Sequence, residues 1–167
     1  PCASRAVDCG GGRMSAPNPG DRRLMLRRDK DTCVACLGEF LLEAQHRQAV
    51  GMGGSKARPG LDVILTACAS CNARFEADLQ TLALFAGWKV RRWVKVPSMV
   101  PVLYRGDAAT WWLLDSDGGR QQIKSAEAGI LMRRTYGEEW DAWAEELGIE
   151  PEGAASLLLH RTRVSAA

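Results

Sequence analysis

Apolar positions recur along this chain with two different periods. After Cys71 the segment NARFEADLQTLALFAG sets Phe75, Leu79, Leu82 and Ala86 at i, i+4, i+7 and i+11, the spacing of one helix face. Gly87 stands where a left-handed residue would end that helix. Before it, Asp62-Val63-Ile64-Leu65-Thr66 is a β-branched run that predicts a short strand ending at Cys68. EFLLEAQHR, residues 39–47, predicts a strand ahead of it. GMGGSKARPG between them, with four glycines and one proline, predicts a loop.

The rest of the chain reads differently. Residues 88–96 alternate enough for a strand, with Pro97 and Pro101 as punctuation. Residues 110–115 and 120–124 flank Ser116-Asp117-Gly118-Gly119, a hairpin signal. Ser125 is placed to cap a helix running to about Leu147, with Met132, Tyr136, Trp140, Trp143 and Leu147 on one face. Gly137 is its weak point. Residues 21–32, DRRLMLRRDKDT, predict a short basic helix or turn. The expected organisation is a flexible leader over 1–20, a strand–loop–strand–helix module over 21–96, a β-hairpin and amphipathic helix lobe over 97–150, and a tail over 151–167. The fold class is α+β.

Hydrophobic residues make up 46% of the chain and charged residues 25%, which excludes a largely disordered protein. No apolar run is long enough for a membrane-spanning helix, and a cytoplasmic protein with no membrane partner is the expectation. The net charge of +2 conceals an asymmetry: residues 1–96 hold 15 Lys and Arg against 9 Asp and Glu, and residues 97–167 hold 7 against 11. A basic first part suits a polyanion.

Six cysteines change the picture more. Cys2 and Cys9 fall in the leader, and four form two pairs, Cys33-Val34-Ala35-Cys36 and Cys68-Ala69-Ser70-Cys71. Each pair puts two thiolates on one turn, and two such knuckles supply the four sulfurs of a tetrahedral structural zinc site. A redox pair or buried free thiols are the other readings of a single Cys-x-x-Cys; two pairs bracketing a strand pair favour zinc. Four sulfurs would saturate that ion, leaving it a structural part only.

Only two histidines occur. His160 has no polar cluster around it. His46 ends the first predicted strand, between Gln45 and Arg47. Asn72 follows the last cysteine, and Glu76, four residues on, shares its helix face. Packed or solvated roles remain open for each of them, helix capping for Asn72 included. The glycine loop lacks the spacing of a phosphate-cradling Walker loop, and Trp88, Trp93, Trp111 and Trp112 are expected in the core.

CVAC, then QHR-QAV-GMGGS, then LTACASCN resembles the HNH (ββα-metal) endonuclease family, above all its phage and prophage members with two zinc knuckles. It is also similar to the recombination endonucleases of phages. The resemblance covers residues 24–96, with GWKVRRW and the WDAW helix as a weaker continuation. It implies DNA phosphodiester hydrolysis, with His46 as general base and one Mg²⁺ or Mn²⁺ on Asn72, joined by Glu76 and Gln45. Arg47 and Arg74 would contact phosphates. Two positions depart from the family: Gln45 replaces an acidic or histidine ligand, and Asp62 and Val63 stand where a middle Asn is usual. A non-catalytic zinc-knuckle DNA-binding module is one alternative. A protein docking a phage packaging or recombination complex through an exposed Trp140–Trp143 stripe is another.

Overall fold

The computed structural model describes residues 16–49, 59–105 and 109–150. Helix α1 (Pro19–Arg28) takes in the last two residues of the expected leader, because Asn18 caps it, accepting from Asp21 N at 2.9 Å, and Pro19 occupies its first turn. Arg27 and Arg28 sit in the last turn, where cations suit the helix dipole. Left-handed backbone at Lys30 and Asp31 then turns the chain away.

Strand β1 (Leu42–His46) pairs antiparallel with β2 (Ile64–Cys68), Leu42 opposite Cys68 and His46 opposite Ile64. Helix α2 (Ala69–Arg74) follows directly, with Cys68 as its cap. The single helix expected after Cys71 is two: α2 ends at Arg74, turns intervene, and α3 spans Gln80–Phe85. The reason is burial. Positions 82–86 are all buried, so α3 is enclosed beyond its polar first turn of Gln80 and Thr81, whereas α2 keeps one polar face outward. Gly87 ends α3 at φ 70°; a Cβ there would lie 1.8 Å from Pro101 O.

Residues 88–96 do not form the expected strand. Val90 makes one parallel bridge to Gln48, after which the Gln48 amide donates to the carbonyls of Arg91, Arg92 and Val94 at 3.0, 3.2 and 2.8 Å. Three carbonyls drawn to one amide curl the backbone instead of extending it.

A three-stranded antiparallel sheet follows, β3 (Val102–Tyr104), β4 (Thr110–Leu114) and β5 (Arg120–Ile123), in that order. The β4–β5 turn is the expected hairpin, its backbone held by Asp115 Oδ1, which accepts from Asp117 N and Gly119 N. The short strand β3 was not visible as a pattern. The terminal helix breaks at Gly137, in a φ/ψ region only glycine adopts readily, into α4 (Ser125–Tyr136) and α5 (Glu138–Leu147). Ser125 makes no capping bond; Lys124 holds the cap position.

One apolar cluster runs from Cys33 to Ile149 and spans both expected units. Phe85 stacks on Trp140 with centroids 5.3 Å apart, and Trp140 Nε1 donates to Phe85 O. Trp140 and Trp143 are therefore buried, and the exposed stripe that the docking alternative would require is not present on this helix. Trp88 and Trp111 are core as expected and Trp112 is partly buried, but Trp93 is 59% exposed. Cys2, Cys9 and His160 lie outside the described residues, as do most of the leader and central loop and the whole tail. Among the described residues no helix is long and apolar enough to cross a membrane.

Candidate metal cluster and polar cleft

The first knuckle is a tight turn. Leu37 N donates to Cys33 O at 2.9 Å and Cys33 N to Gly38 O at 2.8 Å, with Leu37 in left-handed backbone. Val34 N donates to Thr66 O and so ties the turn to β2, while Arg105 donates to Ala35 O from the far side. In the second knuckle, the cap of α2 is itself a sulfur: Cys71 N donates to Cys68 Sγ at 3.4 Å, matching Gly38 N on Cys36 Sγ.

These turns bring the four sulfurs within 4.8 Å of one another. Sulfur bonds of about 2.3 Å in tetrahedral geometry imply edges of about 3.8 Å, and Cys36 Sγ to Cys68 Sγ is 3.7 Å. The four cysteines, all free thiols, could thus hold a metal ion. The Cys71 thiol donates to Cys33 and pulls its pKa down to about 5, while burial pushes Cys36 up to about 11. Cys71, holding its proton against Cys33, is raised. A thiolate is already favoured here, and a cation would replace the protons on its neighbours.

A buried network supports the cluster from beneath. Arg28 and Asp29 form a buried ion pair. Asp29 also accepts from Thr66 N and from Tyr104 OH, and Arg28 donates to the carbonyls of Leu61 and Ile64. One carboxylate and one guanidinium thereby join α1, β2 and β3.

A separate cleft of about 570 Å³ brings together the polar residues singled out in the sequence. Gln45 and His46 border it from the end of β1, Asn72 from α2, and Glu76 from the turn after α2. Strand alternation gives the first two different faces. Gln45 lies across from Leu65, on the side of β2 in the main core, and His46 across from Ile64, on the side packed with Met25. Both reach the cleft because the strand ends there.

Their chemistry differs accordingly. Gln45 is 2% exposed; its Nε2 donates to His46 O, and its Oε1 is buried without a donor among the described residues. Such an orphaned oxygen is costly unless something electropositive meets it, and a hard cation would. The half-buried His46 has its pKa lowered by burial first and by the Lys89 cation second, so its imidazole is neutral near pH 7. Among the described residues its ring nitrogens have no hydrogen-bond partner.

Two cleft residues escaped the sequence reading. Glu43 accepts from Asn72 Nδ2 at 3.1 Å, which commits the amide's donor end and leaves its oxygen as the end for a cation. Lys89 forms an ion pair with Glu76. Glu43 had a signal, since it stands two residues before Gln45 and shares its strand face; Lys89, distant in sequence, had none.

The two arginines separate. Arg47 was expected on phosphates, and the structure corrects this. It is fully buried, donating to the carbonyls of Gly87, Asp62, Pro97, Val100 and Pro101. Loss of water lowers its pKa to about 10. Arg74 remains near the surface, paired with Asp78 one turn on. Comparison with protein-family models, with curated proteins and with solved structures found no match for this chain.

Proposed function

We propose that the chain is a zinc-stabilised ββα-metal endonuclease of the HNH kind, hydrolysing DNA phosphodiester bonds. The observation that carries the reading is the shared cleft. A neutral imidazole, an orphaned amide oxygen, a second amide and two carboxylates meet at the junction of β1 and α2, beside a four-sulfur cluster that fastens the same junction. Zinc is the ion that fits four thiolates in a tetrahedral frame, and its role is to hold the fold.

In the cleft, Asn72 and Gln45 with the carboxylates Glu43 and Glu76 would hold one Mg²⁺ or Mn²⁺, a hard cation that takes oxygen ligands. When bound, that ion supplies charge stabilisation for the phosphoryl and leaving oxygens. His46 takes a proton from the attacking water, for which a neutral ring is required. Glu43 supplies the negative charge that Gln45 lacks. Arg47 compensates for the missing middle Asn: its guanidinium holds the carbonyl of Asp62 and its backbone N–H that of Val63, which pins the segment behind the base. Arg74 is the arginine left to meet a phosphate.

A second reading draws on one contact. The Glu76–Lys89 ion pair occupies a proposed ligand, as a DNA-binding module without catalysis would tolerate. Supercoiled plasmid with Mg²⁺ or Mn²⁺ separates the two: the wild type nicks it and His46→Ala does not. Equal nicking by both would remove His46 as the base, and no nicking by either would favour the binding module.

A further inference from the structure

The segment that failed to become a strand forms a surface of its own. Trp93 borders an open groove of about 440 Å³ with Val96, Met99 and Leu131. Trp93, Val96 and Met99 are all at least half exposed, and Trp93 meets Tyr136 in a T-shaped contact at 5.7 Å. The charged side chains lining the groove are Lys95 and Arg134, with no carboxylate among them.

The cations on and near this segment fall into two sets. Lys89, Arg91 and Arg133 each carry a carboxylate partner. Among the described residues no salt bridge engages Arg92, Lys95 or Arg134, all of them exposed. Arg23, Arg27, Lys30 and Lys124 also lack a salt bridge among the described residues, but Arg92, Lys95 and Arg134 lack one beside an exposed indole. Gln48 links this surface to the cleft, since it borders the cleft and its amide fixes the carbonyls on either side of Trp93.

We propose that this groove seats an unpaired base of a DNA strand leaving the cleft, stacked on Trp93, with Arg92, Lys95 and Arg134 on its phosphates. The proposal rests on the nuclease reading for its substrate. A braced aromatic ring among unpaired cations is the arrangement that binds single strands: the π-face takes any base and the cations track the backbone. Duplex DNA presents no free base face and would use the cations alone.

Fluorescence anisotropy without Mg²⁺ or Mn²⁺ tests this, using a labelled oligothymidylate of about twelve nucleotides and a duplex of the same length. Trp93→Ala is expected to weaken oligothymidylate binding about tenfold or more and leave duplex binding unchanged, while Trp93→Phe retains most of the affinity. Lys95→Gln should flatten the salt dependence of oligothymidylate binding by roughly 0.7 in log–log slope. Equal oligothymidylate affinity for wild type and Trp93→Ala overturns the proposal, as does no binding by the wild type. A wild-type dimer that Trp93→Ala dissociates also overturns it, by giving the groove to a second copy. If Trp93→Ala binds normally while His46→Ala stops nicking, only the groove falls. If Trp93→Ala loses the oligonucleotide while His46→Ala still nicks plasmid, only the base assignment falls.

Discussion

Arg47 Nε donates to the carbonyl of Gly87 at 2.9 Å, tying the neighbour of the proposed base to the residue that ends α3. Replacing Arg47 with Met would strand several buried carbonyls, each costing about 1–3 kcal/mol when left unmade. Arg47→Met should lose about 3 kcal/mol or more of stability in urea denaturation. A loss below about 1 kcal/mol would mean that these bonds hold little.

Removal of a sulfur should act on the fold before it acts on chemistry. Wild-type protein is expected to carry about one zinc per chain, and Cys68→Ser to lose it together with near-ultraviolet dichroism, since binding energy in such sites is folding energy. Metal analysis of both proteins decides this. Full zinc content in Cys68→Ser would separate the cluster from the metal.

The carboxylate found beside Asn72 should tune metal affinity more than turnover. For Glu43→Gln we expect the Mg²⁺ concentration for half-maximal nicking to rise about 10- to 100-fold, with the rate at saturating Mg²⁺ changed far less. His46→Ala should do the reverse. Titration of nicking rate against Mg²⁺ reads both.

The pH dependence follows from the two causes acting on His46. Burial and Lys89 both disfavour the imidazolium, so the neutral ring persists as pH falls to 6.5 and below. The acid limb of the nicking rate should lie below pH 6.5 at saturating metal. Lys89→Met removes one cause, raises the histidine pKa and should move that limb upward. The same sign governs stability: with the folded pKa depressed, this group's contribution is present above 6.5 and is lost as pH falls through the folded value. A limb that Lys89→Met leaves in place would show that Lys89 does not act on the base.

The sequence revealed what is local. Two Cys-x-x-Cys turns, a β-branched run and an Asp-Gly-Gly hairpin each specify their own geometry within a few residues; the knuckles and the hairpin stand in the structure, and the run forms its strand from Ile64, with Asp62 and Val63 in a 3-10 turn before it. Gln45, His46, Asn72 and Glu76 could be grouped because the knuckles fix where β1 meets α2. The errors arose where a distant segment decides. Arg47 read as a phosphate ligand because a cation beside a base usually faces solvent; residues 97–101 cover it, and no periodicity announces that. The docking alternative for the Trp140–Trp143 face falls because α3, buried from Leu82 onward, packs against it, a contact that the pattern of either segment alone does not announce. Trp93 read as core on residue type alone, before Gln48 had drawn the backbone around it outward.

The hub of carbonyls on Arg47 also bears on how small a working fragment can be. Three of its five acceptors, on Pro97, Val100 and Pro101, come from beyond residue 96, and Trp88 and Trp140 bridge the same seam through Leu103 and Phe85. Truncation at the edge of the recognisable motif would unroof the strand that carries His46. The minimal autonomous unit extends through α5, and the β-sheet and terminal helices serve as its keystone.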